Sequence, residues 1–275
     1  MRFSQRAGMV EVSDVVQTEG MSDALRNSLW NALDQCLWSN ETFLFNRHDG
    51  GLGFVDAFSR QLWFNFFKLR IDSRPAYGRQ ILDLLRKYFF SAKWYEVYDF
   101  IEFVVQTYKI FGLLELINEV LERELSGFRL IDGLFTPVSD VSEREAIENA
   151  LAPGPFAGVQ AHLHQALQLL ANRDQPDYRN SIKESVSAIE SAVCELSNNP
   201  KATLGDGLKI LERSGKLHNA LRNGFSAIYG YTNDANGIRH AMLEEATLDE
   251  ADAKFFLVSS AAFINYLKSK QAKST

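Results

Sequence analysis

At 275 residues, 46% hydrophobic and 23% charged, the chain has the make-up of a folded globular protein, long enough for one large domain or two smaller ones. Its net charge of −6 excludes a protein that coats nucleic acid through overall basicity, while leaving room for a local basic groove. No run reaches the roughly 18 apolar residues of a membrane helix, the opening MRFSQRAGMVEV lacks the apolar stretch of a secretion signal, and Cys36 and Cys194 stand too far apart for a disulfide scaffold. The expectation is a cytoplasmic protein with reduced thiols and no membrane association.

The dominant periodicity is helical. Ser22 is placed as an N-cap, followed by Leu25, Leu29, Leu33 and Cys36 at three- and four-residue spacing. A second helix is predicted over Phe54 to Ile71, whose aromatics (Phe54, Phe58, Trp63, Phe64, Phe66 and Phe67) exceed one narrow stripe and predict burial on more than one side. Helices follow over Pro75 to Phe90, Trp94 to Tyr108 and Leu113 to Leu125. All four tryptophans, Trp30, Trp38, Trp63 and Trp94, fall in this first third and read as an aromatic core in preference to an exposed stacking surface.

The exception to helix is SGFRLIDGLFTPVSD. Here Asp132 and Gly133 separate two short apolar runs, the pattern of a tight β-hairpin, with Pro137 confined to an edge. After a short helix from Ser142 to Leu151, the segment APGPFAG carries two prolines and two glycines and marks a domain boundary, giving domains 1–152 and 153–275.

The second half opens with a helix over Val159 to Ala171. Its His162 and His164, two residues apart, point to different sides, which disfavours a metal pair. The segment DQPDYRNSIKESVSAIESAVCELSNNP then shows Ile182, Val186, Ile189, Val193 and Leu196 at alternating spacings of four and three, a bundle seam. Glu190 lies at the edge of that stripe, near Lys183 and Cys194 in projection, with Glu184 farther away. Shorter helices follow in TLGDGLKILERS and KLHNALRNGFSAIYGY. A last helix is placed behind a Thr247/Glu250 capping box, with Phe255, Val258, Ala262 and Tyr266 as its apolar stripe and Lys268 and Lys270 at its C-terminal dipole. The predicted fold is mainly α: two helical domains, the first with a small β-hairpin near its end, the second a helical bundle.

Several chemistries are excluded by absence. The glycine clusters at 51–54 and 205–207 lack the lysine and strand context of a phosphate-binding loop, and there is no GxSxG elbow or zincin histidine pair. What remains is Arg239 beside His240, after the turn-forming run NDANG. A neutral histidine takes up a proton near pH 7 and a guanidinium binds phosphate, a pairing suited to metal-free RNA cleavage in which the RNA supplies its own 2′-hydroxyl.

The segments DYRNSIKESVSAIESAVCEL, TLGDGLKILERSGKLHNALRNGFSAIYGYTNDANGIRHAM and DEADAKFFLVSSAAFINYL together resemble the C-terminal HEPN-type domain of bacterial AbiJ-like abortive-infection proteins. The resemblance covers nearly all of residues 157–270. Upstream, the FSQR start, LRNSLWN, WYEVYDFIEF and ERELSGFRLIDGLFTPVSD resemble the N-terminal domain that precedes it in such proteins. The resemblance implies a HEPN-like bundle, a homodimer with its site near the interface, and antiphage defence or toxin-like growth arrest through a metal-independent endoribonuclease needing no cofactor.

The usual HEPN motif places a His a few positions after an Arg and a polar residue. Here Arg222 and Asn223 are followed by no His until His240, while Arg239 adjoins it directly. The implied roles are His240 as acid or base, Arg239 as phosphate ligand and Glu190 orienting one of them. Arg222, Asn223 and Lys183 would contact RNA. The alternative is a noncatalytic HEPN-like module that dimerises or docks a protein regulator or antitoxin. A sensing role for the N-terminal domain is a third reading.

Overall fold

The computed structural model describes residues 3, 7, 16–39, 54–172, 176–230 and 248–272. The chain is mainly α-helical, as expected, with eleven α-helices and one two-stranded hairpin among the described residues. It divides into two compact units, Met1–Phe135 and Thr136–Thr275. Among the described residues no helix is long and apolar enough to cross a membrane.

In the first unit, α1 (Asp23–Leu33) starts where Ser22 Oγ accepts from Leu25 N at 3.2 Å, and its Leu25, Leu29 and Leu33 are fully buried. A π-helical turn, Asp34–Trp38, widens its end, so that the consecutive Leu37 and Trp38 are both buried. The second helix is shorter than its aromatic pattern predicts. Regular α2 covers Phe54–Gln61, a π turn follows over Leu62–Phe66, and Lys68 adopts φ 54°, which stops the helix before Ile71. Its expected burial on several sides is also corrected: Val55, Phe58, Leu62 and Trp63 are inside, whereas Phe64 is 63% exposed.

The unit continues with α3 (Gly78–Ser91), α4 (Trp94–Thr107) and α5 (Leu113–Arg123). Trp30, Trp38 and Trp63 are buried, and Trp30 meets Trp38 and Phe89 at 5.6 and 5.2 Å, so the aromatic-core expectation holds for these three. The hairpin forms as predicted. Asp132 and Gly133 take φ of 51° and 79° between β1 (Arg129–Ile131) and β2 (Leu134–Thr136), and Pro137 falls just past the second strand. Asn118 of α5 clamps it, accepting from Leu130 N at 2.8 Å and donating to Leu130 O at 2.9 Å in the interior. Glu102 of α4 accepts from Phe135 N at 2.6 Å.

The second unit is a bundle of α6 (Val141–Leu151), α7 (Val159–Ala171), α8 (Tyr178–Leu196), α9 (Leu204–Arg213), α10 (Asn219–Gly230) and α11 (Glu250–Ala272). Helix α8 is central, packed on α7, α9 and α11, and all five predicted seam residues, Ile182 to Leu196, are buried. Helix α6 packs on α7 and α11 within this unit.

Helix α11 differs from expectation in three respects. Its cap is reciprocal between Asp249 and Asp252, each side chain accepting from the other's backbone N–H at 3.0–3.1 Å; the expected Thr247 lies outside the described residues. Its buried face is Ala253, Phe256, Leu257, Ser260, Ala261, Phe263, Ile264 and Leu267, while Phe255 is 55% exposed. Apolar and polar residues are both spread around the helix, so its own spacing does not select a face; its packing partners do. Lys268 does not serve its own dipole either. Its ammonium donates to Asn149, Ala150 and Ala152 carbonyls at 2.9 Å each, closing the C-terminus of α6.

Candidate functional site

The site is built from one face of α8. Ser187, Glu190, Ser191, Cys194, Glu195 and Asn198 recur at three- and four-residue spacing, so they project along one side of the helix, opposite the apolar seam. Two devices close this face into a groove. At the C-terminus of α8, Asn198 takes φ 54° while its N–H bonds to Glu195 O at 3.0 Å and Asn199 N–H to Cys194 O at 3.1 Å, a Schellman ending that turns the chain back over the helix. Thr203 then caps α9, accepting from Asp206 N at 3.2 Å. Helix α9 seats closely because Gly207 faces Val193: a Cβ there would lie 2.3 Å from Val193 Cγ1.

The resulting open groove has a volume of about 1290 Å³ and is lined by that α8 face, His162 of α7, Ala157, Pro200 and the stretch from Ala202 to Gly205, with Lys201 outside the lining. Its polar chemistry is carboxylate, hydroxyl, thiol and imidazole, and its lining contains no Lys or Arg. His162 Nδ1 lies 2.7 Å from Glu184 Oε2, an oriented pair at the rim. Burial, and then the Glu190 and Glu195 carboxylates, push the Cys194 thiol above its ordinary value, and its Sγ donates to Ala202 O at 3.2 Å. Both facts keep it a neutral thiol, the opposite of an activated nucleophile. Among the described residues no group of three His, Cys, Asp or Glu is placed to hold a metal ion.

The sequence-predicted residues are distributed unevenly around this groove. Glu190 lines it. Lys183, two turns earlier on α8, is exposed and outside the lining. Arg222 of α10 turns toward α9, where its Nε lies 2.7 Å from Glu212 Oε2, an ion pair without the alignment of a hydrogen bond. Asn223 is exposed and donates to Asn219 Oδ1 at 2.8 Å. Arg239 and His240 lie outside the described residues. Sequence reasoning passed over the His162–Glu184 pair and the polar stripe from Ser187 to Asn198. The stripe was legible as a second helical period on α8, but the contributions of α7 and the α9 turn were not, because they arrive through packing.

These features define a two-unit, mainly helical protein with a carboxylate-lined groove in its second unit. Residues 1–153, more than half of the chain, match the family AbiJ N-terminal domain 4, and the chain belongs to that family. It is thereby an abortive-infection, defence-associated protein. The match runs through the first compact unit and on to include α6. No curated protein and no solved structure matches the chain.

Proposed function

We propose that the chain is an antiphage abortive-infection effector that cleaves RNA without a metal, its C-terminal half being a HEPN-like bundle. One observation carries the reading: an AbiJ N-terminal domain over residues 1–153 is followed by a compact helical bundle centred on α8 and α11. The functional division is taken at 152/153, within a residue of the end of the family match.

In this reading His240 removes the proton from an RNA 2′-hydroxyl, whose oxygen then attacks the adjacent phosphorus. Arg239 holds the charge gathering on the phosphoryl oxygens, and the departing 5′-oxygen is protonated, leaving a 2′,3′-cyclic phosphate and a 5′-hydroxyl. Glu190 orients one of the pair, Lys183, Arg222 and Asn223 contact RNA at the edges, and a homodimer brings two such bundles together. The test is cleavage of total RNA and purified tRNA in EDTA by wild type, His240→Ala and Arg239→Ala at matched folding. Cyclic-phosphate ends that disappear in either variant are the expected result; intact RNA with folded wild type across these substrates overturns the reading.

A second reading is favoured by the groove itself. A lining with two carboxylates and no Lys or Arg repels a phosphate backbone and suits a cationic side chain of a docked protein, such as a regulator or antitoxin. In that case the bundle is a noncatalytic binding module. Substituting Glu190 and Glu195 by Gln would then change partner binding and leave RNA untouched.

A further inference from the structure

The chain's charge is distributed very unevenly. Residues 54–93 contain eight Lys or Arg (Arg60, Lys68, Arg70, Arg74, Arg79, Arg86, Lys87 and Lys93) against three Asp, a net of +5 in a chain whose total is −6. The remaining residues therefore carry −11. Electrostatic steering of a polyanion would concentrate on this stretch of the first unit.

The connector between α2 and α3 shows the feature most sharply. It presents Lys68 and Arg70 to solvent, Arg79 is exposed in the first turn of α3 that follows, and Phe64 and Tyr77 are 63% and 69% exposed. It is also held in shape. Leu69 N–H donates to Trp63 O at 2.7 Å, and Ile71–Ser73 form a 3₁₀ turn in which Ser73 N–H and Arg74 N–H donate to Arg70 O and Ile71 O at 3.1 and 3.2 Å. Arg74 turns inward as a clamp, donating to Asp56 Oδ1 at 2.6 Å and Ser59 Oγ at 2.8 Å of α2, and Asp56 also accepts from Arg60 at 2.9 Å. The Arg60 and Arg74 guanidiniums hold the Asp56 carboxyl below its ordinary value, so the clamp stays charged at neutral pH. Arg74 and Arg60 thus serve the fold, while Lys68, Arg70 and Arg79 are available at its surface; Arg70 has its acidic neighbour Asp72 at 3.2 Å, with both side chains more than 70% exposed.

We propose that this connector and the first turn of α3 form a single-stranded nucleic-acid binding surface, Lys68, Arg70 and Arg79 tracking phosphates and Phe64 and Tyr77 stacking on bases. Exposed aromatic rings together with surface cations are the two components of sequence-tolerant single-strand binding. Duplex is disfavoured because stacked bases offer no free face to a ring. An anionic membrane is the competing occupant, since Phe64, Leu69, Ile71 and Tyr77 are all exposed here, and the vesicle measurement below separates the two. The surface is on a different unit from Arg239 and His240 and does not depend on cleavage, so the full chain would grip a strand whether or not it cuts it.

The test is fluorescence anisotropy of labelled oligo(dT) with the full-length protein. This probe has no 2′-hydroxyl, so the RNase reading cannot consume it and its failure is separable from failure here. Wild type is expected to bind with Kd of about 1–100 µM at physiological salt, the range of sequence-independent contacts. With three phosphate contacts on a single strand, the log–log salt slope is about −2, so binding weakens about 20-fold between 50 and 200 mM salt. Arg70→Glu with Arg79→Glu should abolish it, and Phe64→Ala or Tyr77→Ala should weaken it about five- to a hundredfold each. Lys201→Glu, an exposed reversal in the second unit, should leave it unchanged. All variants are checked by circular dichroism, since these side chains are exposed and their loss spares the core. Absence of saturable binding, equal binding to duplex, indifference to the Arg70 and Arg79 reversals, or substitution-sensitive binding to phosphatidylglycerol vesicles without binding to oligo(dT) would each overturn the proposal.

Discussion

Two glycines of α9 stand two positions apart and should respond to alanine with opposite sign. A Cβ at Gly205 meets nothing within 4 Å, whereas a Cβ at Gly207 would lie 2.3 Å from Val193 Cγ1. Either change removes a helix-weakening glycine, a gain of about 0.5–1 kcal/mol. At Gly207 the gain is outweighed. Val193 is fully buried on α8, and a β-branched side chain in a helix has essentially one rotamer, so it cannot swing clear. The two helices must part instead, and overpacking of this kind costs about 1–3 kcal/mol. The expected results are a stabilisation of about 0.5–1 kcal/mol for Gly205→Ala and a net loss of about 1–2 kcal/mol for Gly207→Ala. Urea unfolding followed by far-ultraviolet circular dichroism reads both. In a Val193→Ala background the Gly207→Ala penalty should shrink or reverse, because the obstructing methyl is gone. Equal stabilisation by the two alanines would refute the close approach of α9 to α8, and with it the wall of the groove.

Two further outcomes follow from titrating groups. Burial, partly offset by the hydrogen bond from Phe135 N–H, pushes the Glu102 carboxyl from 4.5 up to about 6. Between those values the folded protein keeps a proton that the unfolded chain has released, so stability should fall by about 1–2 kcal/mol as pH rises from 4 to 6.5 and then level off. Glu102→Gln can still accept from Phe135 N–H, so it should be the more stable protein at pH 7 by that amount and lose this part of the pH dependence; an unchanged profile in pH-dependent urea unfolding would contradict the burial of this carboxyl. At Cys194, burial and the flanking carboxylates disfavour the thiolate. Iodoacetamide should therefore modify it more slowly than an unfolded cysteine, and Glu190→Gln should speed the reaction at pH 8, read by mass spectrometry; no change would place Glu190 away from the thiol.

How much was legible in the sequence depends on whether local chemistry or packing decides. Ser22 as a cap, the Asp132–Gly133 turn and the Ile182 to Leu196 seam were readable because each is settled within a few residues: a hydroxyl reaching the first helical amides, two positive torsions, one apolar stripe bounded by polar residues. The second helix was overextended because aromatic content says nothing about a π turn or a left-handed Lys68. The same limit applied to α11, where apolar and polar residues spread around the helix left the buried face to be chosen by α6, α7 and α8.

The candidate site divides in the same way. Glu190 was picked from its place at the edge of the α8 stripe, and it does line the groove, yet its neighbours there come from α7 and from the turn before α9. Arg222, chosen from a motif, is drawn by packing to Glu212 of the adjacent helix. By itself the sequence determined a mainly helical chain, its caps, its hairpin and the seam of its central helix, since those follow from torsional preference and periodicity along a single element. Only the tertiary structure decided which polar side chains share a groove and which Arg near the α2–α3 connector is clamped inside and which is exposed, because those outcomes depend on close approach between elements apart in the chain.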